Sequence, residues 1–183
     1  GGLTAIDTAT ELLAYYIVQI EKTLTRWETL TGTDGQPDAT KEAAILRTFD
    51  TEEREILLEQ LAHGRELRSE RAQAAAEGRE PKLTTLLDRW GGVSLVYRKN
   101  LIDSPAYRLN HEEVEKSLEE GVRYIERMAP KAARVDEYGA LRAMTFERQK
   151  VEGGKWSASG EIIELPARTV CVAAGTSPNT IYE

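Results

Sequence analysis

Gly91-Gly92-Val93-Ser94-Leu95-Val96-Tyr97-Arg98-Lys99-Asn100 decides how this chain is read. Val93 to Tyr97 is rich in residues that favour extended backbone, and the glycine pair interrupts what precedes it. The run reads as a short strand ending in two adjacent cations, Arg98 and Lys99. It also divides the chain: residues 4 to about 90 are helical in character, and residues 93 to 176 mix strand and helix.

Working upstream, Leu83 to Trp90 reads as a short helix stopped by Gly91-Gly92. Asp50 followed by Glu53 is a capping box that opens a long helix, in which Ile56, Leu57, Leu58, Leu61 and Leu67 form one apolar stripe. Its later part, Arg65 to Lys82, is charged and alanine-rich and reads as a solvated helix and loop. Ala39 to Leu46 is a shorter helix. Ala5 to about Thr31 contains neither Gly nor Pro and carries Leu12, Leu13, Tyr16, Ile17, Ile20, Leu24, Trp27 and Leu30 largely at helical spacing. At 1.5 Å per residue such a helix runs about 40 Å, more than one sheet face requires. Residues 17–90 are therefore expected to be helical and free of strands.

Downstream, Asn110-His111-Glu112-Glu113 reads as another capping box, and the helix it opens ends at Gly121. Val122 to Met128 is the second strand. Ala132 to Val135, Ala140 to Gln149 and Glu161 to Leu165 read as an antiparallel meander, with Asp136–Gly139 and Gly153-Gly154 as breaks. Thr169 to Ala174 is small and continuously apolar, the pattern of a strand buried on both faces.

Composition narrows the function. The 183 residues suit one domain, or one domain with an insertion. Hydrophobic residues make up 40% and charged residues 30%, a foldable balance. With 24 Lys and Arg against 31 Asp and Glu, the net charge of −7 argues against binding of nucleic-acid backbones, which needs an excess of cations. No apolar run approaches the roughly 18 residues of a membrane span and no signal peptide is visible, so a cytoplasmic protein without a membrane partner is expected. One cysteine, Cys171, excludes an internal disulfide, and two histidines, His63 and His111, exclude a histidine-rich metal site. No Gly-x-Ser-x-Gly nucleophile elbow is present.

Three features could carry chemistry. Gly1-Gly2-Leu3-Thr4-Ala5 leads directly into a helix, where backbone N–H groups and the helix dipole favour an anion. Arg98 and Lys99 stand at a strand end where, in a dinucleotide fold, the adenosine ribose is met: an acid there suits the 2′-hydroxyl of NAD, cations the 2′-phosphate of NADP. Ala174-Gly175 closes the apolar run, and small side chains there let backbone approach a ligand. Other polar residues read as structural. His111 and Glu115 are too few ligands for a metal. His63 reads as a surface residue, Cys171 as inert packing in a buried strand, and Tyr15, Tyr16 and Trp27 as helix-packing residues.

In order along the chain stand the Gly1-Gly2-Leu3-Thr4-Ala5-Ile6-Asp7 turn, a strand ending Val96-Tyr97-Arg98-Lys99, a helix ending Glu119-Glu120-Gly121-Val122, a meander, and Ala173-Ala174-Gly175-Thr176-Ser177-Pro178-Asn179. This series resembles the NAD(P)H-binding domain of the FAD-dependent pyridine nucleotide-disulfide oxidoreductases, and within them is most similar to the glutamate synthase small-subunit type. The resemblance covers residues 1–16 and about 91–183 and leaves 17–90 as a helical insertion. It implies an α/β, Rossmann-like fold whose first strand and first turn glycine lie upstream of Gly1.

The resemblance also implies a cofactor site. Gly2 matches the second glycine of the family's turn, Gly1 the variable position before it and Ala5 its last position. Asp7 matches the acid usual after the turn, whereas Leu3 departs from the polar residue common there. Arg98 and Lys99 match the basic pair that receives the 2′-phosphate, and Gly175, Pro178 and Asn179 match the closing motif. The implied cofactor-binding set is Gly1, Gly2, Leu3, Thr4, Ala5, Arg98, Lys99, Ala174 and Gly175, with no catalytic side chain and no metal ligand. NADPH, or NADH, would be held here, and FAD by another domain of the same parent chain. The residues alone leave a rival reading, a protein-interaction or oligomerisation module built on the helical insertion, with a second copy or an electron-acceptor protein as partner.

Overall fold

The computed structural model describes residues 1–34 and 36–175. The chain is mixed α/β with small sheets and forms two compact units, Leu12–Gly92 and Gly1–Glu11 with Val93–Glu183. Among the described residues no helix is long and apolar enough to cross a membrane.

Helix α1, Leu3–Thr31, begins in one unit and continues through the other. Its buried residues are Ile6, Ala9, Leu13, Ile17, Ile20, Leu24, Trp27 and Thr31, spaced by threes and fours so that they form one stripe along the helix. The expected stripe is corrected at its margins, because Leu12 and Leu30 are exposed. Tyr15, expected to pack, is 60% exposed.

The chain then turns through a minimal antiparallel pair, β1 (Gly32–Thr33) and β2 (Gln36–Pro37), so the expectation of a strand-free 17–90 fails there. Helix α2, Ala39–Leu46, is capped by Asp38, whose carboxylate accepts from the N–H groups of Thr40 and Lys41. Helix α3, Thr51–Glu77, opens on the expected Asp50–Glu53 capping box and ends at Gly78, whose φ of 65° is left-handed.

Leu61 is the centre of the α1–α3 packing: it is 0% exposed and clusters with Leu24 and Trp27, while Ile45, Leu46 and Leu57 pack on that cluster. A Cβ on Gly64 would stand 2.9 Å from the Ile20 carbonyl oxygen and 3.1 Å from Leu24 Cβ, so α3 touches the backbone of α1 at that point. Arg68 bonds both carboxylate oxygens of Glu28, at 2.8 and 2.7 Å, and Arg71 meets Glu21 at 2.6 Å. Residues 65–82 are therefore less solvated than expected. Leu67 and Ala74 are buried, and Arg68 and Arg71, though still partly exposed, reach across to α1.

Beyond Gly78 the chain doubles back, and Arg79 bonds Glu70 at 2.5 Å and Glu77 at 2.5 Å, while Lys82 N–H donates to Glu70 at 2.8 Å. The Arg79 guanidinium, helped by that N–H, holds the Glu70 carboxyl down to about 2. A carboxyl depressed on folding adds stability above its unfolded value near 4.5, and that stability is lost as the pH falls toward 2. Glu70→Gln is therefore expected to lower the thermal midpoint at pH 7, and the gap from the parent chain should shrink between pH 4.5 and 2. A gap unchanged over that range, followed by circular dichroism, would show that the Glu70 charge does not stabilise the turn. Helix α4, Leu83–Arg89, closes this unit, with Trp90 as its cap and Gly91 and Gly92 at positive φ.

In the other unit, β3 (Ser94–Val96) is followed by a single 3₁₀ turn, Leu101–Asp103, by α5 (Pro105–Leu109) and α6 (His111–Glu119), and by β4 (Arg123–Ile125). The two strands are parallel, pairing Ser94 with Arg123, Leu95 with Tyr124 and Val96 with Ile125, as a helical crossover requires. Ser104 caps α5 by accepting from Tyr107 N–H. Asn110 departs from the expected capping box: it sits at φ −151°, ψ 65° and makes no side-chain cap bond. Ser117, 0% exposed, bonds the Tyr124 hydroxyl at 2.7 Å and so ties α6 to β4.

The meander is β5 (Met128–Val135), β6 (Leu141–Glu152) and β7 (Lys155–Pro166), in that order and antiparallel. Gly153 and Gly154, both at positive φ, close a two-residue hairpin between Glu152 and Lys155. The last strand starts earlier than expected. A register shift opposite residues 147–149, with Gly160 at φ 84°, lets β7 run unbroken from Lys155 to Pro166.

Thr169–Ala174 is a correction. It forms no strand, Val170 and Val172 are 43% and 85% exposed, and Cys171 is exposed rather than buried. Apolar content supports a buried strand only where a partner supplies hydrogen bonds on its edges, and no described strand pairs with this segment. Pro178 and Asn179 lie outside the described residues.

Candidate functional site

Parallel strands present their carboxyl ends on one edge, and loops following those ends are where open α/β sheets bind ligands. Here that edge belongs to β3 and β4. The ladder continues one step beyond β3, with Tyr97 N–H donating to Ile125 O at 2.9 Å and Met128 N–H to Tyr97 O at 3.0 Å. The loops that follow are laced together. Arg127 N–H donates to Lys99 O at 3.1 Å, Arg127 Nε donates to Asn100 Oδ1 at 2.7 Å, and Leu101 N–H donates to the Glu126 carboxylate. Asn100 is held in turn through its Nδ2, which donates to Asp103 at 3.2 Å.

Arg98 is exposed and Lys99 half-buried on this edge, and among the described residues neither makes an ion pair. Elsewhere arginines are commonly neutralised by a carboxylate, as Arg68, Arg71, Arg79 and Arg148 are. Beside the edge lies an open groove of about 440 Å³ lined by residues 124–128 and Arg148.

The first turn reaches the same strand. A Cβ on Gly1 would lie 2.5 Å from Cε2 of Tyr97, so Gly1 stands close against that ring and a side chain there would require the ring to move. The Gly1 carbonyl accepts from Ala106 N–H of α5 at 3.2 Å, and the Gly2 carbonyl accepts from Ala5 N–H at 3.1 Å as α1 begins. Gly1, Gly2 and Ala5 are half-buried, whereas Leu3 and Thr4 are exposed. The structure thus joins the turn at Gly1 to the strand that ends in Arg98-Lys99. Ala174 and Gly175 are exposed, and no hydrogen bond joins them to the turn or to the basic pair among the described residues.

The sequence reading missed Asn100, Glu126 and Arg127. Their link depends on the parallel register of β3 and β4, which composition does not specify, and on Arg127 taking φ 60°, which nothing in an arginine signals. It also missed the surroundings of His63, expected as a plain surface residue. In the helical unit the Tyr16 hydroxyl and His63 Nδ1 are 2.7 Å apart, and the imidazole stacks on Trp90 with centroids 4.4 Å apart. The Trp90 indole N–H donates to Glu66 at 2.8 Å, and with the Arg89 guanidinium it holds that carboxyl below its ordinary value. These partners come from three helices, so no spacing within one helix reveals them.

No family model matches the chain. A protein of Rickettsia prowazekii (strain Madrid E), named as uncharacterized, is 33% identical over 146 residues, which is 80% of this chain. The chain spans 17% of that protein's length. Among the described residues no group of three or more His, Cys, Asp or Glu side chains is placed to hold a metal ion.

Proposed function

We propose that residues 1–16 and 91–183 form an NAD(P)H-binding, Rossmann-like unit of a flavin-dependent oxidoreductase, with 17–90 inserted as a helical module. The observation that carries the reading is the approach of Gly1 to Tyr97, which sets a glycine turn and a helix start beside a strand ending in two cations without acidic partners. A nicotinamide dinucleotide fits that donor set. The turn around Gly1–Ala5 offers N–H groups to a pyrophosphate, and Arg98 and Lys99 offer charge to a 2′-phosphate. Ala174 and Gly175 fit it less well, since they lie in exposed coil. When bound, the nucleotide supplies hydride for a flavin held by another domain; this chain's residues bind and orient it.

Replacing Arg98 and Lys99 together with glutamine is expected to weaken NADPH binding by roughly 1–3 kcal/mol, the scale of charge-assisted hydrogen bonds, and to leave NADH nearly unchanged. Calorimetric titration checks it, and equal losses for both nucleotides would remove the basic pair from the site. The titration should be run on the 183-residue chain and on one carried about ten residues upstream, enough for a strand and one more glycine. The longer chain should bind more tightly. Equal affinity would mean that Gly1 and Gly2 are not part of a dinucleotide turn.

A second reading, docking of a partner or a second copy on the helical unit, draws on Leu12, Tyr15 and Val18 of α1, which are 40%, 60% and 44% exposed at three-residue spacing. Sedimentation of the parent chain against a triple serine variant at those positions separates a self-associating face from an inert one.

A further inference from the structure

We propose that Arg127, supplied by the loop after β4, is a third cation of the 2′-phosphate subsite and sets its preference for a phosphorylated ribose; this rests on the nucleotide-site reading above. Arg127 holds φ at 60°, a region unfavourable for a residue with a side chain that persists where its surroundings demand it. What holds it is the basic strand end. Its N–H donates to Lys99 O, and its Nε donates to Asn100 Oδ1. On the other side its carbonyl accepts from Gln149 N–H at 2.7 Å. The Nε bond uses one of five guanidinium donors and fixes the plane of the group, leaving the two terminal nitrogens to act as a fork.

No carboxylate pairs with Arg127 among the described residues. The loop acids are held by other donors: Glu126, which also lines the groove, accepts from Leu101 N–H, and Asp103 accepts from Asn100 Nδ2. Arg127 also lines the open groove at the end of β4, so a ligand there is within reach of its side chain. Two loops from neighbouring parallel strands therefore bring cations to one edge. An anion with three acceptor oxygens, such as a phosphate monoester on a ribose, satisfies such a set better than a hydroxyl does. Asn100 acts through Arg127 and is a positioning residue.

The test uses adenosine 2′,5′-bisphosphate and adenosine 5′-monophosphate as probes, titrated on the chain carried upstream as described above. Arg127→Gly removes the guanidinium and suits φ 60°, so its thermal midpoint should equal or exceed that of the parent chain. It should bind the bisphosphate about tenfold more weakly and the monophosphate unchanged. Arg127→Asn, which also tolerates the left-handed region, should repeat the loss and guards against a folding defect in the glycine variant. Asn100→Ala should weaken bisphosphate binding in the parent chain and have no effect once Arg127 is glycine. Parent-like bisphosphate binding by Arg127→Gly, with loss in the Arg98 and Lys99 variant, would overturn the role of Arg127 and leave the nucleotide site standing. A parent chain that does not distinguish the two probes would overturn the site itself, and the role of Arg127 with it.

Discussion

Replacing Leu61 with alanine is expected to destabilise the helical unit by about 2–5 kcal/mol, the range for deleting a large side chain from a core that cannot collapse around the space. Leu61 is 0% exposed and lies with Leu24 and Trp27, so it joins α3 to α1 directly. Ile45 and Leu46 at the end of α2 pack on the same cluster, as does Leu57 one turn earlier. Its loss therefore weakens the packing of three helices at once. Urea unfolding followed by fluorescence should detect it, because Trp27 reports from within the cluster. Leu58, three residues before Leu61 and 42% exposed, is the control: its alanine variant should cost well under half as much. Similar midpoints for the two variants would show that the cluster is not where this unit's stability resides.

Replacing Gly64 with valine is expected to cost about 1–3 kcal/mol through overpacking, and more if the two helices cannot separate. The obstacle is specific. The new Cβ would meet the Ile20 carbonyl oxygen at 2.9 Å, and a backbone atom cannot rotate away as the tip of a side chain can. Leu24 Cβ at 3.1 Å blocks the other direction. A glycine inside a helix ordinarily costs up to about 1 kcal/mol relative to alanine, so keeping one here is worthwhile only because it permits the close approach. Gly64→Ala should accordingly gain in propensity and lose in contact, and fall between the parent and the valine variant. Ala76→Val on the exposed side of α3 should shift the urea midpoint little. If Gly64→Val matches Ala76→Val, the two helices do not meet as closely as the Gly64 geometry requires.

The sequence was most legible where local chemistry decides structure. The Asp50–Glu53 box, the glycine stop after Trp90 and the Gly153-Gly154 hairpin all stand where their residues place them. Each depends on contacts within a few positions, such as a carboxylate on a nearby N–H or a glycine free to take positive φ. The short strand before Arg98 and Lys99 forms within the expected run, as Ser94–Val96.

What needed tertiary structure involved partners distant in sequence. Thr169–Ala174 has the composition of a buried strand, but burial and ladder bonds come from a neighbour, and none is present among the described residues. The charged half of α3 reads as solvated until Glu21 and Glu28 of α1 meet Arg71 and Arg68. His63 reads as exposed until Tyr16 and Trp90 enclose it. The edge around Arg127 depends on the register that pairs Ser94 with Arg123 and Val96 with Ile125 across two parallel strands, which only the packed crossover fixes. By itself the sequence determined where the long helices α1 and α3 run and where the Gly91-Gly92 and Gly153-Gly154 breaks fall, because those are local energies. Which faces are buried, which charges are neutralised and which loops meet were decided by the tertiary structure, because those energies belong to pairs that exist only once the chain has folded.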